Sequence, residues 1–82
     1  MTQDKKQRIL DMLVIRYNIR SYMAAATDKN DLKLASYANR EAARDLLEVI
    51  NVLAEGELVD INPEYKTCAD GIQYDMITAE WA

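Results

Sequence analysis

The sequence predicts a small all-α domain, an antiparallel hairpin of two long helices with a short C-terminal segment, and three observations carry that expectation. Residues 3–27 and 31–55 contain neither Gly nor Pro, so nothing interrupts a helix in either stretch. A short polar connection around Asp28, Asn30 and Asp31 separates them, and so short a turn makes two helices antiparallel neighbours. Apolar residues recur at helical spacing on both sides of the turn.

The first helix, 3–27, opens with Thr2 as a cap. With residues placed about 100° apart around the axis, Leu10, Leu13, Val14, Tyr17 and Ala24 form one apolar face. Met12, Ile15, Ile19, Tyr22 and Met23 form another on the opposite side, and Arg16 and Arg20 run along one edge between them. A helix apolar on two opposed faces is expected to be sandwiched. The second helix, 31–55, is amphipathic in the ordinary way, with Ala35, Ala38, Ala42, Leu46, Val49, Ile50 and Leu53 on one face and Gly56 placed to close its end. Alanines near the turn and leucines at the far end imply helices that splay toward their free ends, where the C-terminal segment has room to wedge.

Residues 57–82 are expected to form one or two small helices. Asn62, Pro63 and Glu64 have the order of a cap followed by Pro at the first helical position, and Gly71 suits a helix end. The competing reading is a strand hairpin, with Leu58, Val59 and Ile61 pairing with Ile72, Tyr74 and Met76, because the last three alternate. The helical reading is preferred.

All 82 residues fit a single domain. A chain this short buries a modest share of its surface and needs help from disulfides, a metal or a partner. Cys68 is the only cysteine and there is no His. An internal disulfide and the usual zinc ligand sets are therefore excluded, and a lone thiol fits a reducing, cytoplasmic setting. Half the residues are hydrophobic, an excess that reads as interface and points to a homodimer. The apolar run from Ile9 to Ile15 is broken by Asp11 and too short to span a bilayer, so no membrane association is expected.

Chemistry finds little to work with. Without His there is no ready general base, Gly56 and Gly71 are too far apart to cradle a phosphate, and Ser21 and Ser36 lack the surroundings of a nucleophile. No catalytic residue, metal ligand or cofactor is assigned. Asp60, Asn62 and Glu64 alternate like the start of a calcium loop, but Tyr65 stands where that loop needs Gly.

Binding is the better expectation. The net charge is −4 and unevenly spread: Lys5, Lys6, Arg8, Arg16 and Arg20 lie near the start, whereas Glu48, Glu55, Glu57, Asp60, Glu64, Asp70, Asp75 and Glu80 crowd the end. In an antiparallel hairpin Lys5, Lys6 and Arg8 are expected to meet Glu48, Glu55 and Glu57. Two surfaces are candidates. Met12, Ile15, Arg16, Ile19, Arg20, Tyr22 and Met23 combine the residue types enriched at protein interfaces. Tyr65, Asp70, Tyr74, Asp75, Glu80 and Trp81 form an acidic, aromatic tail. The expected function is a small acidic module that binds another protein and regulates or inhibits it without catalysis, resembling in type the accessory proteins of phages and mobile elements. The alternative is a dimeric helical-hairpin RNA- or DNA-binding regulator that uses Arg16 and Arg20.

Overall fold

In the computed structural model, which describes residues 2–54 and 58–81, the chain is α+β: two long helices followed by a two-stranded antiparallel sheet. Helix α1 spans Gln3–Lys29 and α2 spans Lys33–Ala54. Thr2 accepts a hydrogen bond from the Lys5 amide at the start of α1, satisfying one of the free amides that every helix N-terminus carries.

The turn between the helices is closed by two backbone bonds, Leu32 N–H to Thr27 C=O at 2.9 Å and Asp31 N–H to Asp28 C=O at 3.1 Å. This is the Schellman arrangement, and its left-handed residue is Asp31, at φ 61°. Asp31 therefore ends α1 and does not open α2.

The all-α expectation is corrected in the C-terminal third. In place of small helices the chain forms strand β1, Leu58–Thr67, paired with β2, Gln73–Trp81. Both supposed helix signals have a strand meaning. At the turn, the Gly71 amide bonds Cys68 C=O and the Cys68 amide bonds Ile72 C=O, with Gly71 at φ 85°. A three-residue hairpin loop that closes on a left-handed Gly requires that geometry. The Asp70 carboxylate accepts from the Ile72 amide at 3.0 Å and braces the loop.

Cys68 directs both its backbone groups across the turn, toward the side on which β2 lies. Alternation along the strand then turns those of Thr67, Tyr65 and Pro63 outward. Pro63, opposite Ile77, thus sits on the free edge, where a missing N–H costs no ladder bond. The register also differs from that of the competing strand reading, with Ile61 opposite Ala79, Glu64 opposite Met76 and Lys66 opposite Tyr74.

The same alternation turns the Ile77 N–H and C=O to the outer edge of β2, toward α1. Asn18 takes both: its Oδ1 accepts from the Ile77 amide at 2.8 Å and its Nδ2 donates to the Ile77 carbonyl at 3.1 Å. One carboxamide thus stands in for a third strand. From this point β2 runs antiparallel along α1, its first end beside Lys29, whose Nζ approaches Gly71, and its last under Lys6, which lies over the Trp81 ring. The lengths agree: Lys29 to Lys6 is about 35 Å of helix, and Gly71 to Trp81 about 33 Å of strand.

Leu10, Ile50 and Ile77 meet at the centre of the core, with Leu13, Val14, Tyr17, Leu47 and Trp81 around them. The face of α2 that turns inward is rotated from the one its apolar residues mark and shares only Ile50 with it among the fully buried residues. Ser36, Asn39, Ala43, Ile50 and Ala54 are buried, while Ala35, Ala38 and Val49 are exposed. The two polar residues are satisfied inside: Ser36 Oγ donates to Ala24 C=O at 3.0 Å, and Asn39 donates to Ala35 C=O at 2.9 Å while accepting from Arg20 at 2.9 Å. Among the described residues, no helix is long and apolar enough to cross a membrane.

Asn18→Ala leaves two backbone groups unpaired at a buried residue. It is expected to destabilise the fold by about 2 kcal/mol, measured as a lowered urea midpoint with faster exchange of the Ile77 amide; an unchanged midpoint contradicts the docking role. Asp31→Gly relieves the left-handed conformation and is expected to raise stability by about 0.5 kcal/mol. The exposed contact that Asp31 makes with Lys33 is worth little.

Candidate functional site

The sheet covers one flank of the helical hairpin and leaves the opposite flank bare. On α1, Asn18 and Tyr22 turn to the sheet, and Leu10, Leu13, Val14 and Tyr17 turn to the core. Met12, Ile15, Ile19 and Met23 are left outside, the first three 49%, 59% and 51% exposed. On α2 the neighbouring surface carries Val49, 49% exposed. A shallow groove of about 470 Å³ joins the two helices, lined by Arg16, Ile19, Arg20, Met23, Ala42, Asp45 and Leu46.

Charge on this face is sparse. Arg20 is tied to Asn39 on α2. Arg16 and Asp45, of opposite sign and in the same groove, form no ion pair or hydrogen bond among the described residues.

Of the helix residues singled out in the sequence, the structure gathers Met12, Ile15, Arg16, Ile19, Arg20 and Met23 on one side and separates Tyr22 from them. The Tyr22 hydroxyl donates to Asp70 Oδ2, and its ring meets Tyr74 edge-on at 5.4 Å. The tail residues do not form one surface. Asp70 and Tyr74 are engaged by Tyr22, and Trp81 packs against the core. Tyr65, Asp75 and Glu80 are exposed, Tyr65 facing Asp75 across the ladder and donating to Gln73 at 3.3 Å. The expected meeting of Lys5 and Arg8 with Glu48 does not occur; Glu55 and Glu57 lie outside the described residues. Asp60, Asn62 and Glu64 are in extended β1, a backbone that does not curl around a cation as a calcium loop does.

A second cleft, also about 470 Å³, lies between the helices and the hairpin turn, lined in part by Tyr17, Ser21, Arg40, Arg44, Tyr65 and Asp75. Sequence spacing could not reveal it, because the hairpin that forms one wall was not expected. Burial, with the Asp75 charge adding to it, raises the Tyr17 hydroxyl above its ordinary pKa of 10.0. Arg40 is held by Ser36 and Arg44 by Glu41. Among the described residues, no nucleophile and base stand within hydrogen-bonding distance in this cleft.

Comparison with known proteins finds no family model, no curated protein and no solved structure that matches the chain.

The Tyr22–Asp70 bond shifts both partners in the sense a hydroxyl-to-carboxylate bond requires. Asp70 lies below its ordinary 3.8, through the Tyr22 bond first and the Ile72 amide second; Tyr22 lies above 10.0, through the same bond first. The depressed carboxylate lends stability above 3.8 that is lost as pH falls through its folded value. The raised hydroxyl lends stability below 10.0 that is lost as pH rises through its folded value. Tyr22→Phe is therefore expected to return the Asp70 carboxyl toward 3.8 in an NMR titration. Its stability deficit should be constant between those limits and shrink at either end. An unmoved Asp70 titration contradicts the bond.

Proposed function

We propose that this chain is a non-catalytic protein-binding module whose binding surface is the bare flank of the helical hairpin. The observation behind this reading is the continuity of that flank. Met12, Ile15, Ile19 and Met23 on α1 lie exposed on the side away from the sheet, where a groove joins Ile19 and Met23 to Ala42 and Leu46 of α2. An apolar patch bounded by a few charges marks an interaction surface more often than it marks ordinary exterior, and flexible Met side chains adapt to a partner's contours.

The nucleic-acid alternative draws less support. One Nη of Arg20 is bonded to Asn39, and Arg8 and Arg16 share a groove with the carboxylate of Asp11 and the apolar Met12, Ile15 and Ile19, side chains that offer a phosphate backbone nothing.

A photo-crosslinking amino acid at position 15, introduced in cells that express the full chain, tests this. Irradiation is expected to give polypeptide adducts that survive nuclease and disappear when Met12→Asp is added, with none formed from the same group at Lys66. Nuclease-sensitive adducts, or none, contradict the proposal. Reversing charge at Arg16 and Arg20 together is expected to weaken capture severalfold, since rim charges contribute about 0–1 kcal/mol each; a nucleic-acid surface would lose binding altogether.

A further inference from the structure

We infer that the bare flank is covered by a second copy of this chain, the two helical hairpins stacking face to face about a two-fold axis parallel to the helices, so that α1 of each protomer lies across α2 of the other. This rests on the reading of that flank as a protein interface and names its occupant.

Three features select this occupant. The first is shape. Ala24 is level with Ser36, Arg20 with Asn39 and Leu10 with Ile50, so Met23, Ile19 and Met12 are level with Ala38, Ala42 and Val49. A two-fold axis parallel to the helices preserves those levels. It brings the bulky row of α1 onto the small row of the partner copy's α2, and the reverse, as the ridges and grooves of packed helices require. It also supplies a use for Ala35 and Ala38, whose face of α2 the protomer leaves exposed while burying Ser36 and Asn39.

The second is charge. Arg16 is level with Asp45, and neither has a partner among the described residues. The same axis sets each Arg16 toward the Asp45 of the other copy, the reciprocity an isologous interface must have. The other face-to-face stacking, about an axis perpendicular to the helices, lays α1 on α1 and sets its bulky row against itself, with Arg16 and Arg20 against the same edge of the partner copy.

The third is apolar exposure. Met12, Ile15, Ile19, Met23 and Val49 are each 38% exposed or more, an apolar centre of the kind one partner brings to an interface. The sheet lies on the far side of the helices and leaves the approach open.

Sedimentation and light scattering of the purified, nuclease-treated chain across a wide concentration range provide the test. The expected mass is twice 9.4 kDa. Ile19→Asp, at a side chain exposed in the protomer, is expected to keep the helical circular dichroism and to weaken association about a hundredfold. Arg16→Asp and Asp45→Arg should each weaken it severalfold, and the double variant R16D/D45R should restore most of the loss. A chain that stays monomeric, a dimer indifferent to Ile19→Asp, or a double variant as weak as either single one overturns the inference. The crosslink at position 15 separates the two levels. Other polypeptides captured by a monomeric chain sink the second copy and leave the binding module, whereas a monomer that captures none sinks both.

Discussion

One side chain settles how the two halves of this chain meet. The sheet has only two strands, and a two-stranded hairpin is marginal in water unless something covers it. Here the cover is a helix, and helices do not ordinarily pair with a strand edge because their own backbone groups are already used. Asn18 overcomes this by presenting a carboxamide, with its own donor and acceptor, to the amide and carbonyl of Ile77. Left unpaired at a residue only 3% exposed, each group would cost about 1–3 kcal/mol. Because Ile77 also joins Leu10 and Ile50 in the core, the position that fixes the strand edge also fixes what the strand buries.

That docking decides which flank of the helices is covered. With β2 laid along the Asn18 and Tyr22 side of α1, the Met12, Ile15, Ile19 and Met23 side is turned away from the sheet. Both apolar faces of α1 cannot be covered by one two-stranded layer. The bare flank is therefore a consequence of the topology. The charges divide along the same line. Glu64, Asp75 and Glu80 are carried outward on the sheet, while Arg8 and Arg16 stay on the helix side.

The helical hairpin was legible because its signals are local: long stretches free of Gly and Pro, a capping Thr2, and a polar turn. The double apolar character of α1 was legible for the same reason. The C-terminal hairpin was not, because Pro63 and Gly71 each suit two structures. Pro fits the first turn of a helix and also the outward edge of a strand; a left-handed Gly fits a helix end and also a hairpin loop. What separates the two readings is Asn18, 59 positions before Ile77 along the chain, which in the sequence is only a polar residue at the edge of a helix. The inward face of α2 was misjudged for a related reason. Periodicity counts apolar residues, whereas the fold buries Ser36 and Asn39 because Ala24, Ala35 and Arg20 satisfy them. Of the candidate residues on α1 all but Tyr22 share one side of the helix, and the tail residues lie on different sides of the hairpin.

The misplaced face of α2 bears most directly on what the chain is for. Part of the apolar arc of α2, Ala35, Ala38 and Val49, points where its own chain supplies no cover, while Ile50 of the same arc is buried. Ser36 and Asn39 occupy inward positions that Ala would fill at lower desolvation cost, and their hydrogen bonds orient Arg20 and brace the turn end of the hairpin. Rotating α2 to bury Ala35 and Ala38 would break those bonds and carry Asp45 from the groove toward α1. Polar contacts inside thus hold the apolar residues outside. A surface kept bare by the fold's own hydrogen bonds has its backbone already ordered, and preorganisation of that kind lowers the cost of any association it makes.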